Sequence, residues 1–143
     1  NVFINNFGLS NFNEKKNINK SYGNKHFGVN TYLNNVKLSN MVEESTITIT
    51  LDQYCKYNKI KNIDFVKIDT EGYEPNILEG FIKILGTIEN KPYILIKLKW
   101  GSKHPNWDYC KNIFNEIIDI GYFNKTFDRV KADSYVLFEP LTI

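Results

Sequence analysis

Asp69, Glu71 and Glu74 put three carboxylates into the run Asp69-Thr70-Glu71-Gly72-Tyr73-Glu74, at the exit of the largely apolar stretch Ile63-Asp64-Phe65-Val66-Lys67-Ile68. A carboxylate fixed at a strand end is able to take a proton from a hydroxyl or to hold a divalent ion. In open α/β sheets the crevice outside the carboxyl ends of the strands is where ligands bind. Acidic residues in such a turn also simply cap the following helix, and Glu74, directly before Pro75, is placed to do so. His104, in the Gly101–Trp107 loop, adds a group that titrates near neutrality. A solvated loop histidine is the other reading of it, and of His26. Tyr73 reads as a packed or half-exposed ring. Cys55 and Cys110 lie far apart without a Cys-x-x-Cys or Cys/His pairing, which indicates neither a disulfide framework nor a zinc site. They read as small buried hydrophobes.

The elements that must position these residues follow from periodicity. Ile47, Ile49 and Leu51 alternate with Thr46, Thr48 and Thr50, as in a half-buried strand. Thr50 and Gln53 have capping-box spacing for a short helix with Leu51, Tyr54 and Cys55 on one face. Residues 63–68 suit a buried central strand. Pro75 suits a first helical position, and Ile77, Leu78, Phe81, Ile82 and Leu85 form one stripe of a helix over 75–85 that Gly86 stops. Gly72 serves the turn and Gly80 a close helix–sheet approach. Tyr93–Leu98 reads as the next strand. Asn106 caps a helix whose inward face is Trp107, Cys110, Ile113, Phe114, Ile117 and Ile118, ended by Gly121. Strands over 125–130 and 134–138 close the chain as an antiparallel hairpin. Residues 1–44 read as one strand at Val2–Ile4 followed by a long polar loop, and 45–143 as the αβ core of a single domain. This alternation specifies an α/β class with a mostly parallel sheet.

The chain has 143 residues, of which 42% are hydrophobic and 24% charged, enough for one buried core rather than a disordered tail. No apolar run approaches the ~20 residues needed to span a bilayer, and no signal peptide opens the sequence, so a soluble, cytoplasmic chain without a membrane partner is expected. The net charge of +2 comes from nearly balanced Lys and Asp/Glu and gives no argument for nucleic acid. Abundant Asn, Ile and Lys beside the single Arg129 is the imprint of an A+T-rich coding sequence, as in a large DNA virus or an A+T-rich microbe.

The run Ile63 to Gly80 closely resembles the central signature of FkbM-type S-adenosylmethionine-dependent methyltransferases, a strand "KID-x-EG-x-E" passing into a helix "xxLxG". Thr50-Leu51-Asp52 resembles the family's "TLD" approach and Gly121-Tyr122 recurs after the later helix, so the likeness spans roughly residues 45–122. It implies a Rossmann-like class I methyltransferase fold with the 69–71 turn at the carboxyl end of the fourth strand. Asp69 and Glu71 would then face the cofactor's methyl group and the acceptor. Methyl transfer to oxygen needs in-line placement and loss of the acceptor's proton, to a carboxylate directly or through a divalent ion. Asp69 is the first choice for that role, Glu71 for holding acceptor or metal, and His104 for an alternative base. A small-molecule or glycan hydroxyl is the implied acceptor, and Trp100 and Trp107 are candidates to flank a sugar.

The chain also departs from the family. The Gly-rich "G-A-N-x-G" turn and the acidic strand end that holds the ribose hydroxyls are absent from these residues. Val2 to Asn5 align with the third strand, so the expectation is the C-terminal two thirds of a methyltransferase domain, its N-terminal strands missing and its cofactor site incomplete. Lys97 stands where relatives usually carry a Glu, and a lysine does not ligate metal at neutral pH. A degenerate, noncatalytic binding or interaction module is the rival function. It is favoured by Lys97 and opposed by the intact 67–72 turn.

Overall fold

The computed structural model describes residues 1–21, 30–31, 41–124 and 130–141. His26 and positions 125–129 of the expected penultimate strand lie outside them. One sheet is built from β1 (Gly8–Leu9), β2 (Glu14–Ser21), β3 (Asn30–Thr31) and β4 (Met41–Ile49) in the order β1-β4-β2-β3. A short helix α1 (Leu51–Tyr57) leads to the second sheet, made of β5 (Phe65–Ile68), β6 (Tyr93–Leu98), β7 (Tyr122–Phe123) and β8 (Ser134–Pro140) in the order β5-β6-β8-β7. Between β5 and β6 run α2 (Glu74–Glu79) and α3 (Ile82–Thr87), and α4 (Trp107–Asp119) precedes β7.

The α/β class is as expected, but a mostly parallel sheet is not seen among the described residues. β1–β4 and β5–β6 pair parallel, whereas β2–β3, β2–β4, β6–β8 and β7–β8 pair antiparallel. β8 pairs antiparallel with β6, with Ile96 opposite Val136, whereas the expected hairpin partner over 125–130 falls mostly outside the described residues. The amino-terminal expectation needs correcting. Val2, Phe3 and Ile4 are 84–94% exposed and form no strand. Part of the supposed loop is instead β2, which pairs with β4 from Glu14↔Thr48 to Ser21↔Met41. Its Glu, Lys and Asn side chains show no apolar alternation, because backbone pairing to β4 holds it rather than a buried face.

The core lies on one face of the second sheet. Ile68, Ile94, Ile96, Leu98, Val136 and Phe138 point into it and meet Ile77, Leu78, Phe81 and Leu85, with Cys110, Ile113, Phe114 and Ile117 of α4. The stripe expected over 75–85 is there, but Gly80 and Phe81 divide it into two helices, and the second runs past Gly86 to Thr87. A Cβ on Gly80 would stand 2.1 Å from the Ser10 carbonyl oxygen, so the close approach made there is to the chain after β1. Thr50 caps α1 as read, accepting from the Gln53 N–H at 3.1 Å. Asn106 precedes α4 but makes no side-chain cap bond. The opposite face of the second sheet exposes Phe65, Tyr93, Tyr135 and Leu137. No helix among the described residues is long and apolar enough to cross a membrane.

Candidate active site

β5 delivers Asp69 at its carboxyl end, and the chain then reverses through two left-handed residues, Glu71 at φ 52° and Gly72 at φ 101°. For a glutamate this backbone region is costly and persists only where the surroundings enforce it. Trp100 is one such enforcer, since a Cβ on Gly72 would lie 1.8 Å from its Cζ3 atom.

Two buried side chains do the rest. Glu74 is fully buried, and its Oε1 accepts the backbone N–H groups of Thr70 at 3.1 Å and Gly72 at 3.0 Å. Burial pushes its carboxyl above the ordinary 4.5, against the lowering pull of those N–H groups. It therefore braces the turn that carries Asp69 and Glu71, in addition to standing at the amino-terminal end of α2 as read. Its Oε2 and the Thr70 hydroxyl are buried without a hydrogen-bond partner among the described residues.

His104 is also buried, so it is not a solvated loop histidine. The Asn106 N–H donates to its Nδ1 at 3.0 Å, which leaves the proton on Nε2 to donate to the Gly72 carbonyl at 2.7 Å. The Cys110 thiol lies 3.3 Å from the same Nδ1, and burial pushes that thiol up to about 12. His104 thus stands behind the turn with both ring nitrogens engaged. Both cysteines are buried and free, as read.

Asp69 and Glu71 come together around three lysines. Lys97 Nζ lies 3.5 Å from Asp69 and 3.8 Å from Glu71, Lys67 lies 3.7 Å from Asp69, and Lys99 lies 3.4 Å from both Glu71 and Asp133. The carboxylate of Asp69 first, then that of Glu71, raises Lys97 above its ordinary 10.5, so it stays an ammonium ion at neutral pH. That ammonium lies within 4 Å of both carboxylates and so neutralises part of the charge that a cation would need. No group of three or more His, Cys, Asp or Glu among the described residues is arranged to hold a metal.

Asp69 opens onto a cleft of about 350 Å³ walled by Leu9, Val66, Ile68 and Ile77. On the far side of the turn, Tyr73 is buried and joins the two sheets. Its hydroxyl accepts from Lys16 Nζ at 2.7 Å and lies 2.8 Å from the Ser10 hydroxyl. Ser10 spends its own proton on Asn11 Oδ1, so Tyr73 donates to Ser10. Lys67, Lys99, Lys16 and Ser10 were not singled out from sequence. Only the strand register, with Lys67 opposite Leu95 and Lys97 opposite Tyr135, puts the lysines beside the turn. Trp107 packs edge-on against Phe114 with ring centroids 6.3 Å apart, and so belongs to the α4 packing.

No curated protein and no solved structure matches the chain. The family model of the methyltransferase FkbM domain matches residues 3–130, which takes in the first sheet, β5 to β7 of the second and the whole Asp69–Glu74 turn. The chain belongs to the FkbM methyltransferase domain family.

Proposed function

We propose that this domain transfers a methyl group from S-adenosylmethionine to a hydroxyl oxygen of a small molecule or glycan. In this reading Asp69 receives the acceptor's proton and Glu71 orients the acceptor. The observation that carries the reading is the braced turn at the carboxyl end of β5, which sets Asp69 on the wall of a largely apolar cleft, with Glu71 joined to it through Lys97. The residues present suit the methyl end of the cofactor, because a carboxylate beside apolar walls complements a sulfonium and excludes water from it. For the adenosine end, the described residues offer no Gly-rich strand-to-helix turn. When bound, S-adenosylmethionine supplies an electrophilic methyl carbon whose bond to sulfur breaks as the acceptor oxygen attacks.

The chain's own residues do the positioning. Lys97 and Lys67 hold the Asp69 carboxylate, Lys97 and Lys99 hold that of Glu71, and Glu74 with His104 keeps the backbone between them fixed. Such fixed placement removes orientational cost from the reaction. The test is incubation with methyl-labelled S-adenosylmethionine and a panel of hydroxyl compounds and glycans. The reading expects label in an ether linkage. Label only on nitrogen or a carboxylate, or none on any acceptor, would contradict it and leave the noncatalytic module.

A further inference from the structure

Trp100, whose indole abuts Gly72 of the turn, also lines a pocket of about 320 Å³ together with Ser102, Lys103, Val130, Lys131 and Ala132. Its walls are locked together. The Ser102 N–H donates to the Val130 carbonyl at 3.0 Å and the Asp133 N–H to the Lys99 carbonyl at 3.0 Å. Gly101, at φ 52°, packs so tightly that a Cβ there would lie 2.4 Å from Val130 O and 2.5 Å from Lys131 O.

The lining chemistry is one-sided. Trp100, Val130 and Ala132 give an apolar floor, Ser102 a hydroxyl, and Lys103 and Lys131 two ammonium groups, with no carboxylate among the lining residues. The lysines of the carboxylate cluster are all paired, whereas among the described residues neither Lys103 nor Lys131 is in an ion pair. Two ammonium groups beside an indole suit a ring that carries negative charge. The volume matches one such ring, being at the lower end of the range usual for small-molecule sites.

The pocket is also coupled to the candidate active site. The Trp100 indole abuts Gly72, and Lys99 bridges Glu71 and Asp133, the residue next to Ala132 in the pocket wall. We propose that this pocket is the acceptor subsite and that it takes an anionic sugar. The ring lies on Trp100, its carboxylate or phosphate lies between Lys103 and Lys131, and a hydroxyl is directed past Lys99 towards Glu71 and Asp69. The assignment rests on the methyl-transfer reading for its purpose, but its binding chemistry stands on the pocket alone.

The experiment is an amide NMR titration of the chain with glucuronate, glucose 6-phosphate, glucose and 4-hydroxybenzoate. Both anionic sugars should shift the amides of Ser102, Lys103, Lys131 and Ala132 and bind about tenfold more tightly than glucose, the size of a charge-assisted contact. The double variant Lys103→Gln, Lys131→Gln should lose about that factor while unfolding at the same temperature as the parent. Equal binding of glucose, tighter binding of 4-hydroxybenzoate, or shifts confined to the Asp69 cleft would each overturn the assignment. Phosphate and carboxylate sugars are distinguished by which binds more tightly. Sugar binding here without any methylated product would remove the methyl-transfer reading and keep the pocket. Ether methylation of neutral acceptors with no shift at these amides would do the reverse.

Discussion

Glu74 shows how one side chain holds the geometry on which the proposed chemistry depends. Its Oε1 satisfies two backbone donors of the turn, so Glu74→Ala leaves both unpaired and should cost about 2–4 kcal/mol in a denaturant or thermal unfolding experiment. Glu74→Gln keeps an acceptor oxygen there and should stay within about 1 kcal/mol of the parent. The two variants also differ from the parent in pH dependence. Because burial raises the folded carboxyl above its ordinary 4.5, the folded chain binds the proton more tightly than the unfolded chain does. The contribution of Glu74 to stability is therefore greatest below about pH 4.5 and declines as pH rises through the raised value. Glu74→Gln should flatten that decline, and an unchanged slope would show that another group sets it. Neither this role nor that of His104 was legible in the sequence. Both depend on a turn folding back onto α4 and on Trp100, which no local spacing encodes. Asp69 and Glu71 were legible, because a carboxylate following an apolar β-branched run sits by necessity at a strand end.

Among the elements, those with a buried stripe or a period of two were readable: β4, α1, β6, α4 and β8. β5 was readable as a strand but not in its place, since the expected buried central strand stands at the edge of its sheet among the described residues, with Phe65 and Lys67 exposed. β2 was not, because its polar side chains carry no buried face and its evidence is the ladder to β4. The break between α2 and α3 was hidden because Ile77, Leu78, Phe81 and Leu85 remain in helical phase across it. Two glycines of this region separate packing from propensity. Gly80 faces the Ser10 carbonyl at a distance no Cβ tolerates, and that neighbour is backbone, so Gly80→Ala should destabilise by about 2–3 kcal/mol. Gly86 has no atom within 4 Å of its Cβ position and lies inside α3, so Gly86→Ala should stabilise by about 0.5–1 kcal/mol. Parallel melts of the two variants check both signs. A destabilising Gly86→Ala would mean that the end of α3 needs glycine for a reason other than space.

At the scale of the whole molecule, the two sheets are tied through α1 and through Tyr73. Asp52 accepts the Ile84 N–H at 3.1 Å and its own N–H donates to the Gly80 carbonyl at 3.2 Å, while Lys16 and Ser10 meet the Tyr73 hydroxyl. Tyr73→Phe keeps the ring and removes that hydroxyl, and should cost about 1–2 kcal/mol with faster amide exchange in β2. Unchanged exchange there would show that α1 alone couples the sheets. What the coupling secures is the pairing of a braced, carboxylate-bearing turn with a cleft partly walled by Leu9, which follows β1's Gly8. The central claim is that Asp69 takes the acceptor's proton, and the most direct test is the methyl-transfer rate of Asp69→Asn against the parent, with circular dichroism as the fold control. The substitution keeps size and removes charge and proton affinity, so the rate should fall about 10²- to 10⁴-fold with the spectrum unchanged. A rate within a factor of a few of the parent would contradict the account.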